Sequence, residues 1–278
     1  MAFQPLIPLT GPAGWRFLER THASQQAAFE KGPQLQRELA YFTEKIASVT
    51  TAEELVGDRR LLKIALGAFG LEGEIDKRAF VRKVIEGGTD DPASFANRLA
   101  APGYKALAAA FGFGNATGAR TGDPGFAERI ASAYRTRAFE AAVGETNNDM
   151  RLAMNFRREI AELAKGTEGG SWYAIIGSKP LRTVIEKAYG LPKEFGQVDV
   201  DRQREMLRDR TSALFGTANL AAFAEPANVQ KVIDRFLARA QLESGAVATG
   251  PASAALTLLQ NAASGGSEGL YNLLVARS

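Results

Sequence analysis

The sequence predicts an all-α protein, a multi-helix array built from duplicated helical units that each close on Phe-Gly or Tyr-Gly, with flexible arms at both ends. Three observations carry this. Apolar residues recur at helical spacing along most of the 278 residues, while alternating β-branched runs, the mark of strands, are nearly absent. One helix pattern also returns: Leu61, Leu62, Ala65, Leu66 and Phe69, closed by Gly70 where a left-handed cap ends a helix, are echoed by Leu181, Val184 and Ala188-Tyr189-Gly190-Leu191. A shorter echo runs from Tyr104 to Ala110-Phe111-Gly112-Phe113. Finally, residues 1–14 hold Pro5, Pro8, Gly11, Pro12 and Gly14, and residues 244–278 are rich in Gly, Ser and Ala, so neither end builds a core of its own.

Composition bounds the function. A chain of this length with 45% hydrophobic residues fills one large domain or two smaller ones. Its 34 Lys and Arg are interspersed with 31 Asp and Glu, so the net charge of +3 does not gather into the basic stripe of a nucleic-acid binder, and no nucleic-acid partner is expected. With no cysteine there is no disulfide, thiolate nucleophile or cysteine zinc site, and the single histidine, His22, rules out a two-histidine metal motif. No cofactor or metal is expected. Met1 to Ile7 lacks the basic and long apolar regions of a secretory signal, and no stretch reaches the ~18 apolar residues of a membrane span. The expected location is the cytoplasm on synthesis, with export that needs no cleaved signal left open.

The elements follow in order. After the arm 1–14, Trp15, Leu18, His22, Gln25 and Phe29 share a face of a helix that Gly32-Pro33 stops, and Leu35, Leu39, Phe42, Ile46 and Val49 form the face of the next. Thr51 with Glu54 is a capping box ahead of the short helix before the organising element at 58–71. Asp76 is the expected cap of a helix bearing Ala79, Phe80, Val84 and Ile85, and Asp91-Pro92 the expected start of one bearing Phe95 and Leu99. A helix from Pro102 carries Tyr104, Leu107 and Phe111. Five glycines between Gly112 and Gly125 mark a linker, so the helical body 15–243 is expected to divide into a first half of about 15–113 and a second of about 126–243. Long helices from Phe126 and from Met150 follow, then the Trp172-Ile176 apolar cluster, the echo helix 179–189, a helix over 199–215 and a last one from Pro226. The tail 244–278 holds short helical pieces around Leu256 and Leu270.

Each pattern that could carry chemistry has a plainer account. Gly112-Phe113-Gly114 follows a helix instead of a strand and lacks a Gly-Lys-Ser or Gly-Lys-Thr, so a connector fits better than a phosphate cradle. Asp199-Val200-Asp201 opens like a calcium loop, but Arg204 and Arg210 occupy the positions that need glycine and glutamate, leaving helix capping. Glu86, Asp90 and Asp91 read as helix ends, His22 as a solvated or half-buried helical residue, Arg157-Arg158 with Arg151 and Lys165 as a solvated face, and Phe69, Phe111 and Tyr189 as core anchors. The arms differ. Leu6, Ile7 and Leu9, and in the tail Leu256, Leu258, Leu259, Leu270, Tyr271, Leu273 and Leu274, are apolar groups on segments too rich in Gly, Pro and Ser to build their own core, the pattern of a surface that either docks a partner or packs on the parent domain. The expected partner-binding set is Leu6, Ile7, Leu9, Leu256, Leu259, Leu270, Tyr271 and Leu274.

The run Ala65-Leu66-Gly67-Ala68-Phe69-Gly70-Leu71-Glu72-Gly73-Glu74-Ile75, continuing through Phe80, Val84-Ile85-Glu86-Gly87-Gly88-Thr89 and Ser94-Phe95-Ala96-Asn97-Arg98-Leu99, resembles an alphaproteobacterial family of uncharacterised helical proteins commonly associated with flagellar gene clusters. The resemblance implies a flagellum-related role and brings no catalytic residues with it. The expectation is a non-enzymatic protein acting by protein–protein contact in flagellar structure or assembly, with flagellar components as partners. The alternative is a small-ligand or nucleotide-binding regulator or hydrolase using the 112–125 loop.

Overall fold

The structure is a computed structural model and describes residues 3–99, 101–166 and 168–244. Among these residues there are thirteen α-helices, four short 3₁₀ helices and no strand. In chain order the helices are α1 (Gly11–Glu30), α2 (Pro33–Lys45), α3 (Ala52–Gly57), α4 (Arg59–Ala68), α5 (Arg78–Glu86), α6 (Phe95–Arg98), α7 (Pro102–Phe111), α8 (Phe126–Thr146), α9 (Asn148–Leu163), α10 (Glu168–Gly177), α11 (Lys179–Tyr189), α12 (Val200–Phe215) and α13 (Pro226–Glu243).

Local chemistry sets most boundaries. The Thr51/Glu54 capping box forms as expected at the start of α3. Asp58 caps α4 by accepting from the amides of Arg60 at 2.8 Å and Leu61 at 3.1 Å. Gly70 and Gly190 both adopt left-handed φ, +71° and +64°, and in each the next leucine amide reaches back to the carbonyl five residues earlier, Leu71 to Leu66 and Leu191 to Glu186, both at 2.9 Å. The echo seen in sequence is therefore one capping device used twice. It extends to a side chain the sequence did not flag: Arg137 Nε of α8 donates to the Ala68 carbonyl at 2.9 Å, and Arg235 Nε of α13 donates to the Ala188 carbonyl at 3.2 Å. These two helix ends, α4 and α11, are each closed by an arginine from the helix packed against them, α8 and α13.

Four expectations need correction. The arm does not run to residue 14: α1 begins at Gly11, because Pro12 lies in the first turn where its missing amide costs nothing, and Gly14 lets the helix lie against the Leu9 carbonyl. Asp76 caps no helix; it pairs with Arg59 at 2.7 Å, and α5 starts after it without a side-chain cap. The helix expected from Pro92 shrinks to the single turn α6, since the Asn97 side chain donates to the carbonyls of Thr89 at 2.9 Å and Asp91 at 2.8 Å and folds the segment back on itself. The fourth is the domain division. One core joins α2 to α7 with the first half of α8 through Phe126, Ile130, Ala131 and Tyr134; the other joins α1, α9, α10, α11 and α13 with the second half of α8 through Phe139 and Val143. The cores thus meet inside α8 and not at the glycine-rich segment, which is stitched into the first lobe where Thr121 Oγ1 donates to the Val49 carbonyl at 2.6 Å. α1 belongs with the second core because its buried face, Trp15 and Leu18, packs on α13 and α8.

Candidate functional site

Two places offer a surface with more than packing to explain. The first is the N-terminal segment. Residues 3–10 run back along α1: Phe3 meets Phe29 edge-on at 6.1 Å, and Gln25 clasps the main chain of Leu6, its Oε1 accepting from the Leu6 amide at 2.7 Å and its Nε2 donating to the Leu6 carbonyl at 3.1 Å. Ile7 is half-buried on the second core. Leu6 and Leu9 point outward, 63% and 52% exposed. Gly11 lies against the Gln241 side chain, so the segment meets the last turn of α13, where Leu242 is 67% exposed. A backbone fixed by hydrogen bonds thus presents apolar side chains to solvent, where each forfeits the free energy that burial would give. Leu256, Leu258, Leu259, Leu270, Tyr271, Leu273 and Leu274 lie outside the described residues.

The second place is a cleft of about 440 Å³ between the lobes. One wall is the Phe69-Gly70-Leu71 turn and the start of α7 at Pro102, the other is Ser178 to Leu181 at the start of α11, and the floor is α8 and α9. Charged groups on the floor hold one another. Arg158 grips Glu140 with Nε and Nη2, both at 2.8 Å, and also contacts Glu159, while Arg137 Nη2 donates to Glu159 Oε1 at 2.5 Å. The Glu140 side chain is only 7% exposed, so its charge depends on that fork. Burial would raise the Glu159 carboxyl pKa, but Arg137 and Arg158 outweigh it and hold it below the usual value. The network ties the end of α4, through Arg137, to α8 and α9. Asn155 Oδ1, on the α9 floor of the cleft, is buried without a hydrogen-bond partner.

The other sequence candidates fall where local chemistry uses them. In the 112–125 loop the amides of Asn115, Gly118 and Arg120 donate to the carbonyls of Gly112, Asn115 and Phe111, and the Ala116 amide donates to Asp90 Oδ2 at 2.7 Å, so these donors are already engaged. Asp199 caps α12, accepting from the Asp201 amide at 2.9 Å and the Arg202 amide at 3.3 Å. Glu86 pairs with Arg82, and Asp91 accepts from the Ala93 amide. His22 stands edge-on to Phe139 at 5.4 Å; burial first, and then Arg157, push its pKa down. Phe111 and Tyr189 are buried anchors, and Phe69 is half-buried at the cleft. Arg157-Arg158 is more than the solvated face expected: beside the Arg158 fork, Arg157 lies 4.6 Å over the Trp15 ring and bonds Gln230 at 2.6 Å. The acid that Arg158 grips, Glu140, had no signal in sequence, because an acid on a long helix ordinarily faces water. Among the described residues no group of three or more His, Asp or Glu is arranged to hold a metal ion, and no helix is long and apolar enough to cross a membrane.

The family model described as "protein of unknown function (DUF1217)" matches residues 68–232, from the Phe-Gly cap of α4 into α13 and so across both lobes. The crystal structure of a protein from Agrobacterium tumefaciens is similar to this chain with a TM-score of 0.71 and 25% identity, over 86% of this chain and 99% of that one. Among curated proteins nothing matches.

Proposed function

The chain belongs to the DUF1217 family of proteins of unknown function, and from that starting point we propose that it acts without catalysis, as a protein-binding component of flagellar structure or assembly. One observation carries the binding half: Leu6 and Leu9 are more than half exposed on a segment whose main chain Gln25 clasps at Leu6. Preorganised apolar side chains reduce the ordering cost of association. The flagellar half rests on the resemblance of the 65–99 run. A photo-crosslinking residue placed at Leu9 in motile source cells tests both. Adducts with flagellar components are the expected result; adducts confined to proteins outside the flagellum overturn the flagellar half, and an absence of adducts overturns the docking half.

A second reading, a small-ligand regulator, is favoured by the Asn155 oxygen left without a donor on the floor of the inter-lobe cleft. It relocates the ligand from the 112–125 loop, where the amides of Asn115, Ala116, Gly118 and Arg120 are engaged, to the space between the lobes. Thermal shift decides it: a ligand at a hundred times its dissociation constant raises stability by about 2.7 kcal/mol. Nucleotides, inorganic phosphate, amino acids and divalent metals that all leave the midpoint unchanged remove this reading.

A further inference from the structure

We propose that the cleft between the lobes binds a free α-amino acid as its zwitterion, with the ammonium turned to the first-lobe wall and the carboxylate to the start of α11; this rests on the small-ligand reading above and names that ligand's chemistry. Eight charged side chains line the cleft, and six of them are already engaged. Glu74 pairs with Lys77 and Glu162 with Lys165, Arg151 donates to Asn148 Oδ1, and Arg137, Glu140 and Glu159 belong to the network on the floor. Glu72 and Lys179 are the two left over: among the described residues neither side chain has a hydrogen-bond or ion-pair partner. They are opposite in sign and stand on opposite walls, Glu72 next to the Phe69-Gly70-Leu71 turn and Lys179 at the first position of α11.

The surroundings of these two charges suit the rest of such a molecule. Asn155 lies on the floor, and its side-chain amide makes no hydrogen bond with any described residue, its oxygen being shut away from water. A buried acceptor without a donor is destabilising, and an amide turned toward the cleft to accept from an ammonium removes that penalty. The positive wall is more than one lysine. α11 starts at the cleft with no side chain capping its amides, so the positive end of its dipole favours a carboxylate there. The start of α7, on the other wall, is not open in the same way: a Cβ added at Gly103 would stand 2.7 Å from the Phe69 carbonyl oxygen, which already occupies the space beside that helix end. The walls are thus polarised in opposite senses, which a zwitterion matches and a plain anion or cation does not. Phe69 and Leu163 are half-buried at the cleft and offer contact to an apolar side chain, and the volume of about 440 Å³ lies within the roughly 300–1,000 Å³ of small-ligand sites.

Calorimetric titration of the full-length protein with each of the twenty amino acids tests the proposal, followed by titration of the tightest binder's deaminated analogue and its methyl ester. The expected result is saturable binding of at least one amino acid, weakened about tenfold or more when the ligand lacks its ammonium or its carboxylate charge, and by E72Q and by K179M in protein that melts at the wild-type temperature. Binding that both substitutions leave unchanged overturns the proposal, because the amino acid then sits elsewhere. So does binding that the analogues match, since the two charges are then not what the protein reads. If no amino acid binds while a nucleotide or inorganic phosphate does, the zwitterion is overturned and the small-ligand reading stands; if none of these compounds binds, both fall.

Discussion

Glu140 shows how much of this molecule turns on single side chains. Its carboxylate is nearly shut away from water and satisfied by one arginine fork. R158M should destabilise the protein by about 3 kcal/mol, because it strands a buried charge, while the E140M/R158M double variant should recover much of that loss. Urea denaturation of the three proteins checks it; equal losses in single and double variants would mean that the fork contributes packing and not charge pairing. His22 gives the complementary pH prediction. Its folded pKa lies below 6.5, chiefly through burial and then through Arg157, so the unfolded chain binds a proton more readily than the folded one. Stability is therefore full above pH 6.5 and declines as pH falls through the lowered folded value. H22Q should flatten that decline, and because His22 is the only histidine its ring protons report the folded pKa without assignment ambiguity. Neither residue was legible in full. The sequence placed His22 on a helix as a solvated or half-buried residue without deciding between them, while Glu140 lies on a helix that mixes three acids with three arginines, and its partner is eighteen positions away on another helix.

At the scale of elements, the caps were the most legible feature and the long-range pairings the least. Gly70, Gly112 and Gly190 announced themselves because only glycine takes the left-handed cap without steric cost. G190A should cost about 1–2 kcal/mol, the penalty of forcing an L-residue into that conformation, and in place the new methyl would meet the Arg239 guanidinium. A thermal midpoint unchanged by G190A would show that the α11 cap relaxes freely. The arginines that close the α4 and α11 ends could not be read in advance: Arg137 and Arg235 are two among 34 basic residues, and only packing brings each beside its carbonyl. Asp76 and Asp91-Pro92 have the composition of helix starts, yet a side-chain ion pair and an asparagine clasp claim the two segments first. Cap chemistry is local and written in neighbouring residues; competition for it comes from elsewhere in the chain.

For the whole molecule the decisive element is α8, which lends one half to each core and so should make the lobes a single cooperative unit. Composition could not show this, because the glycine-rich segment before α8 has the texture of a linker while serving as a stitched loop of the first lobe. Both tryptophans, Trp15 and Trp172, lie in the second core, which provides a one-sided reporter. F111A empties a fully buried site in the first core and should cost about 3–5 kcal/mol. If α8 couples the cores, tryptophan fluorescence will report the full shift from the other lobe; if the lobes melt apart, it will barely move. Such a body, joined through one helix and edged by outward leucines near the contact of Gly11 with Gln241, fits the proposed role of holding a partner. The most direct test of that claim is the swimming of source cells whose only copy carries L6D, L9D and L242D, in protein shown to melt at the wild-type temperature. The account predicts impaired swimming together with loss of the flagellar adducts at the N-terminal segment. Normal swimming by these cells, with the adducts intact, would contradict it.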